Sequence, residues 1–467
     1  MPSYALCMAV TKAAVGVRLP RTGEFTLPLG GIAAGVVLRP WFDWIAVRVI
    51  AHWYFPVSRG WAAALAAGGD VARFQHELPV KGLDGGRLSR ALAKVDRQRR
   101  DYESAERAWD RLFFSDFESP AQARVAAELA RHDRAHALMA TRAAFLPFRR
   151  RLPAMKWEVP APAVVANLHG ARLMNPELAF PAPAPTEIAV SQAVPGSQGP
   201  ERWLRFASPV FGDTAWAHVY EGEGRGERPT FIYLHGIAME NEMWRGHASP
   251  IEILTRRGFR VICAEGPWHG RRRLPGAFGG EPIIGRAPLG FLDLLHAWVS
   301  EVAVLIGWAR RSGHGPVVLG GVSLGALTSQ VAASAAADWP QNLRPDALFL
   351  VATSAKMLDV ALSGTLTRGL GLPRRLEEAG WSERELARWL PLLEPTAPPP
   401  IPPERLFLLL GRSDDLTPYE GGLALAQAWH LPERNVFVRP QGHFSVSLGL
   451  LQDSWPLDRL VESLDRG

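Results

Sequence analysis

The chain is poor in cysteine and in lysine, and each shortage excludes something. Two cysteines in 467 residues, Cys7 and Cys263, cannot build a disulfide framework. Cys263 falls in an apolar run that reads as a buried strand, so a reducing compartment, the cytoplasm, is the expected location. Only five of the 52 basic residues are lysine, and the formal net charge of +6 therefore comes from arginine. That arginine is spread, with short runs at Arg271 to Arg273 and Arg149 to Arg151, so no nucleic-acid partner is expected. No uncharged apolar run reaches the roughly 18 residues of a membrane span. The closest, Phe25 to Leu38, follows Lys12, Arg18, Arg21 and Glu24, which would make an unusually long leader without a convincing cleavage site. Internal repeats are lacking too.

What is present is length and apolar content. With 47% hydrophobic residues the chain can bury a large core in two structural units. Residues 1–158 read as a helical N-terminal region and residues 159–200 as a connection. Residues 201–467 read as alternating strands and helices, an α/β unit with a mostly parallel sheet. The connection carries Pro160, Pro162, Pro176, Pro181, Pro183, Pro185, Pro195 and Pro200, which predicts extended backbone rather than helix.

Within the helical region, Tyr102, Trp109, Leu112, Phe113 and Phe117 fall on one face, and Val125, Leu129, His132, His136 and Met139 continue the period. His132 and His136 are spaced like paired zinc ligands. The expected Glu is Asp133, however, and no third ligand is evident, so semi-buried core histidines and no metal are expected. The stretch Trp41 to Phe55 is apolar almost all round, broken by Asp43, Arg48 and His52 and rich in amphipathic rings (Trp41, Trp44, Trp53, Tyr54). It reads either as buried against the rest of the chain or as a peripheral membrane contact.

The strands are predicted at Trp203 to Ser208, Ala215 to Tyr220, Phe231 to Leu234, Phe259 to Ala264, Val317 to Val322, Ala347 to Val351, Leu406 to Leu410 and Val436 to Arg439. Residues 357–404 interrupt the rhythm and read as an inserted helical cap. There Ser382 and Glu385 form a capping-box signature ahead of Leu386, Trp389, Leu390 and Leu393. Trp381, Leu386 and Trp389 are the candidate substrate-binding surface, because an apolar acyl chain would gain free energy there.

Gly321-Val322-Ser323-Leu324-Gly325 is the most informative stretch. An apolar strand enters it and an Ala-rich helix leaves it, the strand, sharp turn and helix of a nucleophile elbow. Acyl transfer also needs a base and an orienting acid, and each has a candidate beyond a predicted strand. Asp414, in Gly411-Arg412-Ser413-Asp414-Asp415-Leu416-Thr417-Pro418, follows the strand Leu406 to Leu410, with Asp415 and Asp359 as alternatives. His443, in Gln441-Gly442-His443, follows the last strand.

In this order, elbow, G-x-x-D loop and late G-H, residues 201–467 resemble the α/β-hydrolase superfamily. The resemblance implies Ser323 as nucleophile, His443 as general base and then acid, and Asp414 as orienting acid. His235-Gly236 is similar to the family's oxyanion-loop motif, and by that match the backbone N–H groups of Ile237 and Leu324 form the oxyanion hole. Glu265-Gly266-Pro267-Trp268-His269-Gly270 is similar to the loop after the following strand, with Trp268 in place of a glycine; His235 and His269 read as structural. The longer run from Glu265 to Glu281, with Leu294 to Glu301, resembles a bacterial branch distantly similar to the eukaryotic abhydrolase-domain-eighteen proteins. The expectation is a cofactor-independent serine hydrolase cleaving an ester or related acyl bond of a small apolar substrate. The alternative is a non-catalytic protein of the same fold that binds a lipid or protein partner.

Overall fold

Why the parallel part of the sheet forms is plain from its strands, which are short, apolar and almost unbroken by polar residues. In a computed structural model of the chain, residues 39–222, 227–239, 250–313 and 315–465 are described; Cys7 and the run Phe25 to Leu38 lie outside them. The strands are β1 (Ala189–Val190), β2 (Val194–Gly196), β3 (Gly199–Ala207), β4 (Thr214–Tyr220), β5 (Thr230–Leu234), β6 (Arg260–Ala264), β7 (Val317–Val322), β8 (Ala347–Val351), β9 (Leu406–Gly411) and β10 (Val436–Arg439). They lie in the order β1-β3-β4-β6-β5-β7-β8-β9-β10, with β2 on β3. From β6 to β10 every pairing is parallel, while β1, β2, β3 and β4 add an antiparallel flank. Strands buried on both faces read as continuous apolar runs, and β6, β8 and β9 are buried at every position.

Leu289–Ser312 is the long core helix against this sheet. By length and composition it is apolar enough to cross a membrane although Asp293 and Glu301 interrupt it, but it lies almost wholly inside the protein. The expectation for the connection is corrected. Pro162–Met174 is an α-helix, because Pro162 stands at its first position, where no N–H is needed and φ is already set, and no other proline follows before Pro176. Val165, His169 and Arg172 face inward, and His169 Nε2 lies 2.9 Å from Asp293 of the core helix.

The N-terminal region is a layer of helices. Asp70 and Asp84 cap Val71–Glu77 and Gly85–Phe113 by accepting from Arg73 N and Arg87 N at 2.8 Å. Gly85–Phe113 pairs with Ala121–Ala140, but the face that the latter buries is not the apolar one. Arg124, Glu128, Arg131, Ala135 and Leu138 point inward, while Leu129 is exposed. Arg131 is bound by both carboxylate oxygens of Glu128 (3.0 and 2.8 Å) and lies 5.0 Å from the Trp109 ring, so its charge is paired and its stem is packed. Phe117, expected on the same face as Trp109, is beyond the helix end and 83% exposed.

The segment Pro40–Val49, continued by a π-helical turn Ile50–Tyr54, is two-sided. Asp43, Val47, Ala51 and Phe55 are buried, and Trp41, Trp44, Arg48 and His52 are exposed, with Arg48 stacked 3.9 Å from the Trp44 ring.

Charges tie this layer to the long excursion after β6. Arg271 Nε lies 2.8 Å from Glu106 Oε1. Arg59 donates to Gly276 O at 2.5 Å and stands 3.5 Å from Glu281, whose Oε1 also accepts from Lys156 N at 2.8 Å. Burial pushes the Glu281 carboxyl up to about 7 against the pull of Arg59.

Candidate active site

The turn after β7 is made by close backbone approach. Ser323 has φ 56° and ψ −122°, a conformation that side chains rarely adopt, and its N–H is held by Val351 O at 3.0 Å. A Cβ at Gly325 would lie 2.1 Å from Leu234 O, and one at Gly321 would lie 2.3 Å from the same atom, so both positions admit only glycine. The helix Leu324–Ala335 leaves directly, placing the N–H of Leu324 in its unpaired first turn.

His443 brings the three sequence candidates together. Its Nε2 is 2.8 Å from Ser323 Oγ and its Nδ1 is 2.8 Å from Asp414 Oδ2. Asp414 is buried, and its Oδ1 accepts from the N–H groups of Leu416 and Thr417 at 3.0 Å each, which fixes the carboxylate toward the ring. Asp415 is exposed and engaged through its carbonyl with Thr365 (2.8 Å), and Asp359 begins a π-helical turn in the insertion. Burial disfavours the charged imidazolium of His443. The charge and hydrogen bond of Asp414, then the charges of Asp43 and Asp415, outweigh burial and raise its pKa above the usual histidine value.

Two groups at this site were not assigned a role from sequence. Thr417 Oγ1 lies 2.9 Å from Asp414 Oδ2 and 3.2 Å from His443 Nδ1, beside the bond that joins them. Thr417 stands inside the loop that carries Asp414, three residues on, and that proximity was the available signal. The other is Asp43, which reaches the helix opened by His443 from the far end of the chain.

The loop after β5 passes over the elbow, where the position of a Cβ on Gly236 is 3.5 Å from Ser323 Cβ. Two histidines hold it. His235 Nε2 accepts from Gly266 N at 3.0 Å. His269 Nδ1 pairs with Pro267 O at 2.9 Å, a bond in which it must donate, leaving Nε2 to accept from Ala238 N at 3.2 Å. Burial, then the neighbouring His235, depress the His269 pKa well below the usual range, so the neutral ring required by this pattern is the stable one. Ile237, whose N–H is the second oxyanion candidate, stands between Gly236 and Ala238.

The expected open face of the cap is not met. Trp381, Leu386 and Trp389 are all buried in the main core. Trp381 Nε1 donates to Pro160 O at 2.7 Å, and the connecting helix Pro162–Met174 packs against the turn Leu390–Leu392. Helix Glu383–Ala387 is short, and the backbone tightens into a 3-10 turn around Pro391 where one longer helix was expected. Half-buried apolar side chains do stand near these groups, Ile237 in the loop that passes over the elbow and Phe444 with its ring 5.4 Å from that of His443.

Away from the elbow, a cavity of about 600 Å³ opens at the amino edge of the sheet, lined by residues that include Arg202, Glu221, Arg228, Arg260 and Trp308. Arg228 donates to Glu221 O at 2.5 Å and Arg260 to Ser312 Oγ at 2.7 Å, so these arginines are engaged by the protein itself. Among the described residues no group of three metal-ligating side chains occurs, and the His132 and His136 rings lie 4.3 Å apart between centroids, tilted by 45°.

Residues 231–452 match a family model described as the alpha/beta hydrolase family, a match that begins one residue into β5 and ends just past the helix opened by His443. No curated protein matches the chain. Among solved structures it is similar to acetyl xylan esterase 1 from Thermoanaerobacterium sp., at 17% identity over 66% of this chain and 96% of that one (TM-score 0.44). It is similar to a PEG-bound cold-adapted esterase from an Arctic intertidal metagenomic library, at 16% identity over 58% and 97% (TM-score 0.39). Brefeldin A esterase, a bacterial homologue of human hormone sensitive lipase, is similar at 16% identity over 69% and 92% (TM-score 0.38). The matched stretch, just under half of the chain, holds the parallel strands, the strained turn and its histidine together, and the fold is that of an α/β hydrolase.

Proposed function

We propose that the protein is a serine hydrolase that cleaves an ester or related acyl bond through an acyl-enzyme. The observation that carries this reading is the position of His443, with one ring nitrogen 2.8 Å from Ser323 Oγ and the other 2.8 Å from the buried Asp414. In the first half-reaction Ser323 Oγ attacks the acyl carbon while His443 Nε2 takes its proton. The negative charge moves to the carbonyl oxygen, where the N–H groups of Ile237 and Leu324 are its donors. Collapse breaks the bond to the leaving group, which receives the proton from His443, and Ser323 remains acylated. Water then gives a proton to His443 and attacks the acyl carbon, and the acid product leaves as the proton returns to Ser323. Asp414 stays ionised throughout and stabilises the imidazolium. Burial pushes the Cys263 thiol up, which argues against it as a competing nucleophile.

A fluorophosphonate probe tests this directly. Stoichiometric labelling that maps to Ser323 and disappears in Ser323→Ala is the expected result. An unlabelled, folded protein without esterase turnover would leave the binding alternative standing.

The apolar character of the substrate is supported by Ile237 and Phe444, and a lipid surface as its source by the exposed rings of Trp41 and Trp44 (50% and 54% exposed) with the cation of Arg48 over the Trp44 ring. Medium-chain esters presented on anionic phosphatidylglycerol vesicles should be turned over faster than the same esters in solution. Replacing Trp41 and Trp44 by Ser should remove that gain, and equal rates in the unaltered protein would refute the membrane reading.

A further inference from the structure

We infer that Asp43 is a positioning residue for His443, supplying from 401 residues away the cap that the histidine's own helix cannot provide. The inference rests on reading His443 as the base at Ser323. His443 is the first residue of helix His443–Gly449, and the residue that should cap this helix is Gly442, which has no side chain. In an ordinary cap the side-chain oxygen of that residue accepts from the N–H groups of the second and third helical residues. Here Asp43 Oδ1 accepts from Phe444 N at 2.5 Å and from Ser445 N at 3.2 Å, the two positions a local cap would serve. Its other oxygen accepts from the Ser445 hydroxyl, whose oxygen in turn accepts from Gly442 N at 2.9 Å. One carboxylate thereby takes two N–H groups of the first turn and the hydroxyl that holds Gly442 N.

Gly442 is what lets this carboxylate in. A Cβ there would lie 2.6 Å from Asp43 Cγ and 2.7 Å from its Oδ2, so a residue with its own capping side chain at 442 and Asp43 exclude each other. Asp43 is only 4% exposed, on the inward face of Pro40–Val49, and its position is fixed by Val47, Ala51 and Phe55 packed along the same face. The N-terminal helix is therefore part of the site: it sets the backbone from which His443 projects toward Ser323.

The carboxylate also adds to the charge around the ring. Three acids face His443, Asp414 and Asp415 from the loop after β9 and Asp43 from the N-terminal helix, with Thr417 as the uncharged neighbour. All three favour the imidazolium that forms as Ser323 loses its proton. Geometry and charge can be separated by substitution: Asn keeps one acceptor oxygen for the N–H groups of Phe444 and Ser445 while it loses the charge and the acceptor that faces the Ser445 hydroxyl, and Ala loses all of these.

The experiment is the rate of fluorophosphonate reaction at Ser323 as a function of pH, measured on the full chain and on Asp43→Asn and Asp43→Ala, with thermal unfolding followed in parallel. Reaction requires neutral His443, so the rate falls on the acid side as the ring protonates. Removing a negative neighbour lowers the histidine pKa, so Asp43→Asn should move the acid limb to lower pH with a plateau rate within about threefold of the unaltered protein. Asp43→Ala should lower the plateau by about tenfold to a hundredfold, because the ring is no longer held against Ser323. An acid limb in Asp43→Asn that coincides with that of the unaltered protein overturns the proposal, even if Asp43→Ala fails to fold. A plateau in folded Asp43→Ala equal to the unaltered protein's overturns it as well. If the unaltered protein does not react, or Ser323→Ala is still labelled, the nucleophile reading itself falls and takes this one with it.

Discussion

The turn after β7 and the excursion after β6 leave the same edge of the sheet, with only β5 between their strands. Both hold a non-glycine residue in the left-handed region, Ser323 at φ 56° and Trp268 at φ 61°. They hold it by opposite means. At the elbow, backbone atoms of Leu234 and His235 crowd so closely that only glycine fits at 321 and 325. In the excursion, the ring of Trp268 is stacked on Phe211 at 5.4 Å between centroids, and the chain around it is pinned by buried charges. Arg272, 6% exposed, binds both oxygens of Glu301 at 2.8 Å and both of Asp213 at 2.9 and 2.8 Å. A short strained turn can be enforced by what it leaves no room for. A long one needs partners, and partners lie elsewhere in the chain.

The sharpest way to break this contrast is to put a side chain where the elbow has none. In Gly325→Val the new Cβ meets Leu234 O at 2.1 Å and His235 O at 2.8 Å, backbone that cannot move without parting β5 from β7. We predict a cost above about 5 kcal/mol, read as the loss of soluble folded chain. A stable, active Gly325→Val protein would show that the crossing is not sterically closed.

The excursion should fail through charge instead. Arg272→Met leaves Glu301 buried without its cation, at a cost of about 3 to 5 kcal/mol in unfolding free energy, and adding Glu301→Leu should recover most of it. The pH dependence gives a second reading. Burial already raises the Glu301 pKa, and without Arg272 the folded state holds a proton that the unfolded state releases. Stability of the single variant then falls as pH rises, so its deficit is smaller in mild acid than at neutral pH. An Arg272→Met protein as stable as the original at neutral pH would remove the electrostatic half of the comparison.

The smallest effect is expected at Trp268. Glycine there would relieve about 1 kcal/mol of left-handed strain, but losing the buried ring costs about 3 kcal/mol or more, for a net loss of about 2 kcal/mol. A stabilised Trp268→Gly protein would mean that strain dominates and that the ring merely tolerates its place.

The same contrast decides what could be read from sequence. The central parallel strands were legible because strands buried on both faces are continuous apolar runs, and β7 and β8 begin and end where those runs do. Ser323, Asp414 and His443 were legible as candidates because each stands in a short motif at a strand end. The buried face of Ala121–Ala140 was not, since it is lined by Arg124, Glu128 and Arg131, and a pattern of apolar residues points one position away from it. Helix Pro162–Met174 was hidden by its own proline, which reads as a breaker until its place at the first turn is known. The tightening around Pro391 ended a helix that the spacing of Leu386, Trp389 and Leu393 had extended. Asp43 had no local signal at all, because its partners are Phe444 and Ser445.

That separation also sets an order of events during synthesis. Asp43 and Ser445 are 402 positions apart, so at about 5 to 20 residues per second roughly 20 to 80 seconds pass between the first leaving the ribosome and the second being made. Through that interval the N-terminal helix has no helix to cap, and Arg59 and Arg271 wait in turn for Glu281 and find Glu106 already made. The last turn of chain to be translated before the C-terminal helix Trp455–Asp465 is the one that carries His443. Under the proposed mechanism, a nascent chain would therefore expose Ser323 well before it could use it, and competence would arrive as a single late docking event between the helices that carry Asp43 and His443.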